Sequence, residues 1–327
     1  MSSKVVQSES GGYPIMESSE PAVDLTPGQG LVRVSVVVDR PIDDVWAALT
    51  DPDAVDQWLG TMPRLRPGGT ARLDFGDGDF FTLHVDRFDP PSVLQYAWRF
   101  LGIGPEDRIA WRLVPRDSGC LVTVTDREPE RASGDLAELG RGWADFLGRL
   151  ERFLRTGERS RYDWRSEVDA SIELESPPDV AYEALFAYGV DGWCTAVAGP
   201  LLAPGVELRL VDDRGSSTSA IVDVEWTPPI GVRLQIGGAG WGRPTTCDLR
   251  LRRRSSGALL LLHHDGWRAL DLPDGERRTL RVRFASMWID TLARAAEVVE
   301  HSRDAMPIAD PPMGLFWPSE EERKSLR

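Results

Sequence analysis

The segment VVVDRPIDDVWAALTD, Val36 to Asp51, returns later in the chain as IELESPPDVAYEALFA, Ile172 to Ala187. Pro41 matches Pro177, Val45 matches Ala181, Trp46 matches Tyr182 and Leu49 matches Leu185, all at an offset of 136. The correspondence continues outward. Trp58 faces Trp193, Pro67-Gly68 faces Pro204-Gly205, Pro90-Pro91 faces Pro228-Pro229 and Ser118-Gly119 faces Ser256-Gly257, with the offset drifting only between 135 and 138. Both copies end in a long helical pattern that carries Trp143 or Trp288 at comparable places. A repeat of this length is a duplicated domain, and 327 residues are enough for two.

In the first copy the apolar, β-branched run Leu31 to Val38 reads as a strand. Pro41 then opens a helix, since proline is tolerated at a first helical position, and Asp43 and Asp44 favour that positive end. Asp51-Pro52 repeats the start signal for a second short helix ending near Trp58, before Pro67-Gly68-Gly69 breaks the chain into strands. Strands are expected at 70–75, 79–88, 92–100, 106–115 and 119–128, with tight turns at Gly76-Asp77-Gly78 and Asp117-Ser118-Gly119. Leu136, Leu139, Trp143, Phe146, Leu147, Leu150, Phe153 and Leu154 recur at three and four, the face of a helix of about six turns. In the second copy Leu280, Phe284, Met287, Trp288, Leu292 and Val299 do the same on a helix from about Glu276 to Arg303. The expectation is an α+β chain of two tandem domains, each an antiparallel sheet around one long C-terminal helix with two short helices closing the open end. Domain 1 covers 31–157 and domain 2 covers 166–303. Residues 1–30 read as a flexible arm and 304–327 as a Pro-rich tail.

Composition excludes several classes. No apolar run approaches the length of a bilayer span, and the polar start MSSKVVQSES has no signal-peptide core, so a cytoplasmic protein without a membrane partner is expected. The net charge of −14 is spread over both halves, with 18 basic and 26 acidic residues in 1–160 and 20 and 26 in 161–327. Neither half has the basic excess that nucleic acid requires. The three cysteines, Cys120, Cys194 and Cys247, form no paired motif, and the four histidines have no ligand spacing, so neither a disulfide framework nor a metal site is expected. The run GGAGWG at 237–242 precedes a strand pattern rather than a helix and lacks the lysine of a phosphate loop, and no cofactor is expected. Asp74, Asp77 and Asp79 lack the closing glutamate of a calcium loop and read as a turn. Arg250, Arg252, Arg253 and Arg254 read as a solvated strand edge.

Strand alternation separates the inward set. Leu94, Tyr96, Trp98 and Phe100 share a face, as do Ile109, Trp111 and Leu113, and then Val122, Val124 and Asp126. Asp126 is the polar member of that series. It is either a ligand contact or desolvated acid, or a strand-end carboxylate beside Arg127 or Arg141. In the second copy Ala258, Leu260, Leu262 and His264 share a face, with His264 aligned to Asp126 and His263 turned outward. His264 is a candidate donor or general base, or a structural histidine. Trp241, Trp267 and Arg243 nearby suggest an aromatic wall with a polar anchor, or ordinary packing.

The stretches PIDDVWAALTDPDAVDQWLG (41–60), PGG (67–69), DPPSVLQYAWRF (89–100), SGCLVTVTDRE (118–128) and GWADFLGRLERFL (142–154) resemble the AHSA1-like branch of the START/Bet v1 helix-grip superfamily. The first copy matches along almost its whole length, while the second keeps the proline-helix start, the paired prolines and the final helix. The resemblance implies a deep apolar cavity between sheet and long helix for a hydrophobic small molecule, without implying a reaction. The tandem, Arg-rich and Trp-rich chain is also similar in character to START-like proteins encoded in enediyne antibiotic clusters. The ligand-binding set expected on that basis is Trp98, Trp111, Val124, Asp126, Trp143, Trp241, Arg243, Leu262, His264, Trp267 and Trp288. The expected function is carriage of a polyketide- or polyene-like molecule. A cyclase or dehydratase using Asp126 and His264, or a self-resistance protein, is the alternative. A chaperone-activator role lacks the chaperone-contacting half it would need. Oligomeric state has no signature in the sequence.

Overall fold

The computed structural model describes residues 20–187, 206–211, 217–227 and 231–305. The chain divides into two compact units, Met1–Arg165 and Ser166–Arg327. Trp193, Cys194, Pro204-Gly205, Pro228-Pro229, the second short helix of the second copy and the tail beyond 305 lie outside the described residues.

Unit 1 runs β1 (Ala22–Thr26), β2 (Leu31–Val38), α1 (Ile42–Thr50), α2 (Pro52–Trp58), β3 (Thr70–Asp74), β4 (Phe80–Asp89), β5 (Val93–Phe100), β6 (Glu106–Arg116), β7 (Gly119–Arg127) and α3 (Leu136–Thr156). The seven strands form one sheet in the order β1-β2-β7-β6-β5-β4-β3, every pairing antiparallel. Alternation decides the faces: Val32, Val34, Val36 and Val38 are at most 3% exposed, while Arg33 and Val37 between them are exposed. Asp51 caps α2 by accepting from the Asp53 N–H, and Pro52 follows as its first residue. Trp58, at the far end of α2, is buried and donates its indole N–H to the Ala48 carbonyl of α1, which locks the two short helices together. The helix α3 presents Leu136, Gly140, Trp143, Leu147 and Leu150 to the sheet, the three-four spacing of its apolar face.

One expectation needs correction. The stretch 1–30 is not wholly an arm, because Ala22–Thr26 pairs with Leu31–Ser35 as an added edge strand. It sits close over α3 at Gly140, where a Cβ would meet the Val23 side chain at 2.9 Å. The missing side chain of one helix residue makes room for that strand.

Unit 2 runs β8 (Val168–Leu174), α4 (Pro178–Tyr182), β9 (Val206–Val211), β10 (Ser217–Thr227), β11 (Gly231–Gly238), β12 (Thr245–Arg254), β13 (Gly257–Asp265) and α5 (Asp274–Ala305). Its six strands are ordered β8-β13-β12-β11-β10-β9, all antiparallel. With β1 set aside, this is the order of unit 1 strand for strand, so the duplication read from the sequence is a duplication of topology. Among the described residues no helix is long and apolar enough to cross a membrane.

The repeated Ser-Gly pairs have a structural reason. Gly119 and Gly257 open the last strand of each sheet at φ +127° and +152°, and a Cβ would stand 2.1 Å from the carbonyl oxygen of Val38 or of Leu174. Each copy needs glycine there so that β7 can lie against the end of β2 and β13 against the end of β8.

Candidate functional site

In unit 1 the inward residues of β4 to β7 and the inner face of α3 build a continuous aromatic cluster. Trp98 of β5 stacks on Trp143 of α3 with centroids 5.4 Å apart and on Phe81 of β4 at 3.8 Å. Trp111 meets Trp143 edge-on at 5.6 Å and Trp58 at 6.4 Å. Trp98, Trp111, Val124 and Trp143 are each at most 4% exposed. A buried tryptophan removes roughly 150–250 Å² from water, about 4–6 kcal/mol at ~25 cal/mol per Å². Between sheet and helix, where an apolar hollow is expected, these rings fill the space and rest on one another.

A polar cluster stands at one end of this interior, built from Asp107, Asp126, Arg131 and Trp143. Asp126 is 1% exposed and its two oxygens have different partners. Oδ2 accepts from the Trp143 indole N–H at 2.8 Å, and Oδ1 accepts from Arg131 Nη2 at 2.8 Å. The same Nη2 donates to Asp107 Oδ1 at 2.7 Å, and Arg131 Nη1 donates to the Gly30 carbonyl at 3.2 Å. The partner of Asp126 is thus Arg131 in the loop before α3, not Arg127 or Arg141. One guanidinium is shared by two carboxylates in a desolvated place. Burial raises the Asp126 carboxyl above its ordinary range, opposed by Arg131 and the Trp143 indole. Burial, reinforced by the Asp126 charge, pushes Asp107 up to about 7 against the pull of Arg131. Burial thus lifts both carboxyls toward the neutral form while Arg131 opposes it, an environment suited to acid–base work or to donating to a ligand oxygen. The Trp98 indole N–H faces Asp107, its register partner across β5 and β6, and also opposes the rise of that carboxyl.

Asp107 was legible in the alternation, two positions before Ile109 and Trp111 on the same inward face, but charge at a strand start reads as an edge. Arg131 comes from a loop and has no periodic signal. Tyr96, whose hydroxyl accepts the Trp111 indole N–H at 3.0 Å, was placed inward by the alternation without a role. Burial holds its phenol pKa above the ordinary value.

Unit 2 places His264 where unit 1 places Asp126, again in contact with the long-helix tryptophan. Trp288 donates its indole N–H to His264 Nδ1 at 2.9 Å. An indole only donates, so Nδ1 carries the lone pair and the proton sits on Nε2. Nε2 donates to Thr245 Oγ1 at 2.8 Å, and that hydroxyl donates to the Ile236 carbonyl at 3.2 Å. His264 and Thr245 are fully buried. Desolvation, aided by His263 and Arg281, lowers the imidazole pKa well below its usual value, so the ring is neutral. Both ring nitrogens are engaged in this arrangement. Trp267 packs 4.3 Å from the imidazole, Phe284 lies 5.0 Å from it, and Trp241 and Leu262 are buried in the same interior. Arg243 is exposed beside the β11–β12 turn and does not supply the expected polar anchor.

A concavity of about 620 Å³ lies over β3 to β6, lined by Pro63, Thr70, Arg72, Thr82, His84 and Arg99 among others. Thr70, Arg72, Thr82 and His84 are exposed and alternate with the inward Leu73, Leu83 and Val85, which puts the hollow on the outward side of the sheet. Its arginines are paired, Arg72 with Asp74 at 2.9 Å and Arg99 with Glu106 at 3.4 Å.

The family model "Activator of Hsp90 ATPase homolog 1-like protein" (AHSA1) matches residues 39–155. The crystal structure of DynU16, a protein of the dynemicin biosynthetic locus, is 37% identical and covers 83% of this chain and 99% of DynU16, with a TM-score of 0.75. CalU16 from Micromonospora echinospora is 26% identical over 42% of this chain and 87% of its own, with a TM-score of 0.35. MLL2253 from Mesorhizobium loti is 22% identical over 38% of this chain and 98% of its own, with a TM-score of 0.36. No curated protein matches the chain. Two duplicated sheets, each crossed by a long helix whose tryptophan reaches the last strand, define a tandem helix-grip protein. The chain belongs to the AHSA1-like family and is similar along most of its length to DynU16.

Proposed function

We propose that the chain binds a hydrophobic, conjugated small molecule of polyketide or polyene type between the sheet and α3 of unit 1, as a carrier in enediyne-type natural-product biosynthesis. The observation that carries this reading is the likeness to DynU16 over 99% of that protein, combined with an interior walled by Trp98, Trp111 and Trp143. Flat rings suit a flat, unsaturated ligand, because offset stacking adds to area burial. Asp107 and Asp126, bridged by Arg131, are the polar end against which a hydroxyl or carbonyl of the ligand would be oriented. The second unit offers an interior of the same kind around Trp241, Leu262, Trp267 and Trp288.

The carboxylate pair also favours a second reading, an enzyme of cyclase or dehydratase type in which Asp126 or Asp107 moves a proton. One experiment separates the readings. The purified chain is incubated with an organic extract of an enediyne-producing actinomycete, desalted, and compared in native and denaturing mass spectra. A small molecule retained natively and released unchanged is the expected result. A released molecule of altered mass establishes the enzyme instead, and a cleaved polypeptide establishes self-resistance. Absence of any adduct overturns the ligand reading.

A further inference from the structure

The stretch after α3 has the composition of a plain linker, yet Ser160 to Arg165 is strapped across unit 1. The Ser160 and Arg161 amides donate to the Gln57 carbonyl of α2 at 2.9 and 3.1 Å. The Ser160 hydroxyl donates to the Arg149 carbonyl of α3 at 2.8 Å, and the Arg149 guanidinium donates back to the Ser160 carbonyl at 2.9 Å. Arg161, with a side chain only 8% exposed, reaches Asp56 at 2.6 Å and the Asp74 carbonyl at the end of β3 at 3.0 Å. The Arg165 amide donates to Asp77 at 2.8 Å, and its guanidinium lies 3.0 Å from Asp79, both in the β3–β4 hairpin. So the strap is fastened to α2, α3 and the β3–β4 hairpin, three elements that border one side of the grip.

Behind these fastenings the strap buries Trp164, at 7% exposure, and turns the half-buried Tyr162 ring toward the aromatic cluster. Tyr162 lies nearly parallel to Phe75 (centroids 5.9 Å, 15°) and to Phe146 (6.4 Å, 24°), with the Arg149 guanidinium 4.9 Å from its ring centre. Phe146 touches Trp143 at 5.8 Å, and Trp143 stacks on Trp98. Tyr162 is therefore the outermost rung of the aromatic series that runs to the carboxylate pair.

We propose that the Ser160–Arg165 strap is the door to the interior of unit 1, and that the place now filled by the Tyr162 ring, between Phe75, Phe146 and Arg149, is the entry subsite for a planar conjugated ligand. This rests on the reading of unit 1 as a hydrophobic-ligand domain and adds where the ligand enters and what shape it must have. The exchange is physically balanced. A ligand ring that replaces the Tyr162 ring keeps the stacking and the cation–π contact, while the polar groups of the strap regain water as partners. The core elements stay in place, since the fastenings are hydrogen bonds and ion pairs at the rim.

The test uses the full chain carrying Gln57→Cys and Ser160→Cys, two residues whose backbones are already hydrogen bonded. The probe is diphenylhexatriene, a linear conjugated molecule that fluoresces only out of water, and its uptake is followed by stopped flow. Disulfide closure should slow uptake at least tenfold, and reduction of the same sample should restore the wild-type rate. Arg161→Ala, which unfastens the strap without a new covalent bond, should raise the rate at least fivefold. Probe uptake by the wild type at a rate that neither the disulfide nor Arg161→Ala alters overturns the door while leaving the binding reading intact. Failure of the wild type to take up the probe at all overturns both.

Discussion

At the scale of single residues, each unit ties its long helix to its last strand by one indole hydrogen bond, Trp143 to Asp126 and Trp288 to His264. The acceptors differ in charge and so do their environments. Asp126 shares a guanidinium with Asp107, whereas His264 sits between two neutral partners. Trp143→Phe keeps a ring for stacking on Trp98 but removes a donor from a carboxylate that is 1% exposed. It is expected to destabilise unit 1 by about 1–3 kcal/mol and to raise the Asp126 pKa further, because that donor is one of the groups holding it down. A urea melt followed by circular dichroism measures the first effect. Carboxyl chemical shifts across a pH titration measure the second, and an Asp126 that titrates as in the wild type would remove the indole from the account. The tryptophans and both acceptors were legible from spacing and alternation alone. Arg131 and Thr245 were not, since a loop cation and a strand-end hydroxyl carry no periodicity.

At the scale of elements, the strands of unit 1 begin and end within one residue of where the turn signals place them. These turns are local, set by residues such as Asp117, Ser118 and Gly119. The element missed by sequence reading is β1. Its residues AVDLT are short and unremarkable, and what makes them a strand is the free edge of β2 and the space left at Gly140. Glycines in this chain divide sharply by what surrounds them. Gly119→Ala and Gly257→Ala each force a Cβ to within 2.1 Å of a carbonyl oxygen, and backbone strain alone should cost about 1–3 kcal/mol per site. Gly148→Ala, inside α3 with nothing within 4 Å of the new carbon, should stabilise the chain by about 0.5–1 kcal/mol. Thermal melts of the three variants check the ordering. A Gly119→Ala chain as stable as the wild type would mean that the β2–β7 junction yields more easily than its geometry implies.

At the scale of the whole molecule, the two units carry buried titratable groups of opposite sense. In unit 1 the Asp107 carboxyl is lifted from 3.8 to about 7. The folded unit therefore holds protons that the unfolded chain releases, and its stability falls as pH rises through that window. In unit 2 the His264 pKa is depressed below 6.5. The unfolded chain then binds the extra proton, and stability is lost as pH falls below the unfolded value. His263 works in the other direction, raised by its hydrogen bond to Asp169, but it is about half exposed and partly screened. Amide exchange corrected for intrinsic rates should show protection of α3 decreasing between pH 5 and pH 7 while that of α5 increases. Each contributing proton changes stability by at most about 1.4 kcal/mol per pH unit. In His264→Gln the α5 trend should flatten, with the His263 contribution unchanged. Parallel trends in α3 and α5 of the wild type would show that these buried groups do not govern the stability of their units.

The duplication, the α+β order of each copy, the faces of most strands and the tryptophan-lined interior all follow from patterns repeated within a few residues or at one fixed offset. Such patterns are written in the chain because burial and turn geometry act locally and with a definite period. The sharing of Arg131 by Asp107 and Asp126, the addition of β1, the neutral tautomer of His264 and the folding of a linker into a strap have a different origin. Each depends on partners from different elements that meet off any period, 5 and 24 residues from Arg131 to Asp126 and Asp107, 19 and 24 from His264 to Thr245 and Trp288, and 105 from Asp56 to Arg161. No periodicity records such meetings, because they exist only once the sheet has closed around its helix and has left certain edges, carbonyls and acids facing the same space.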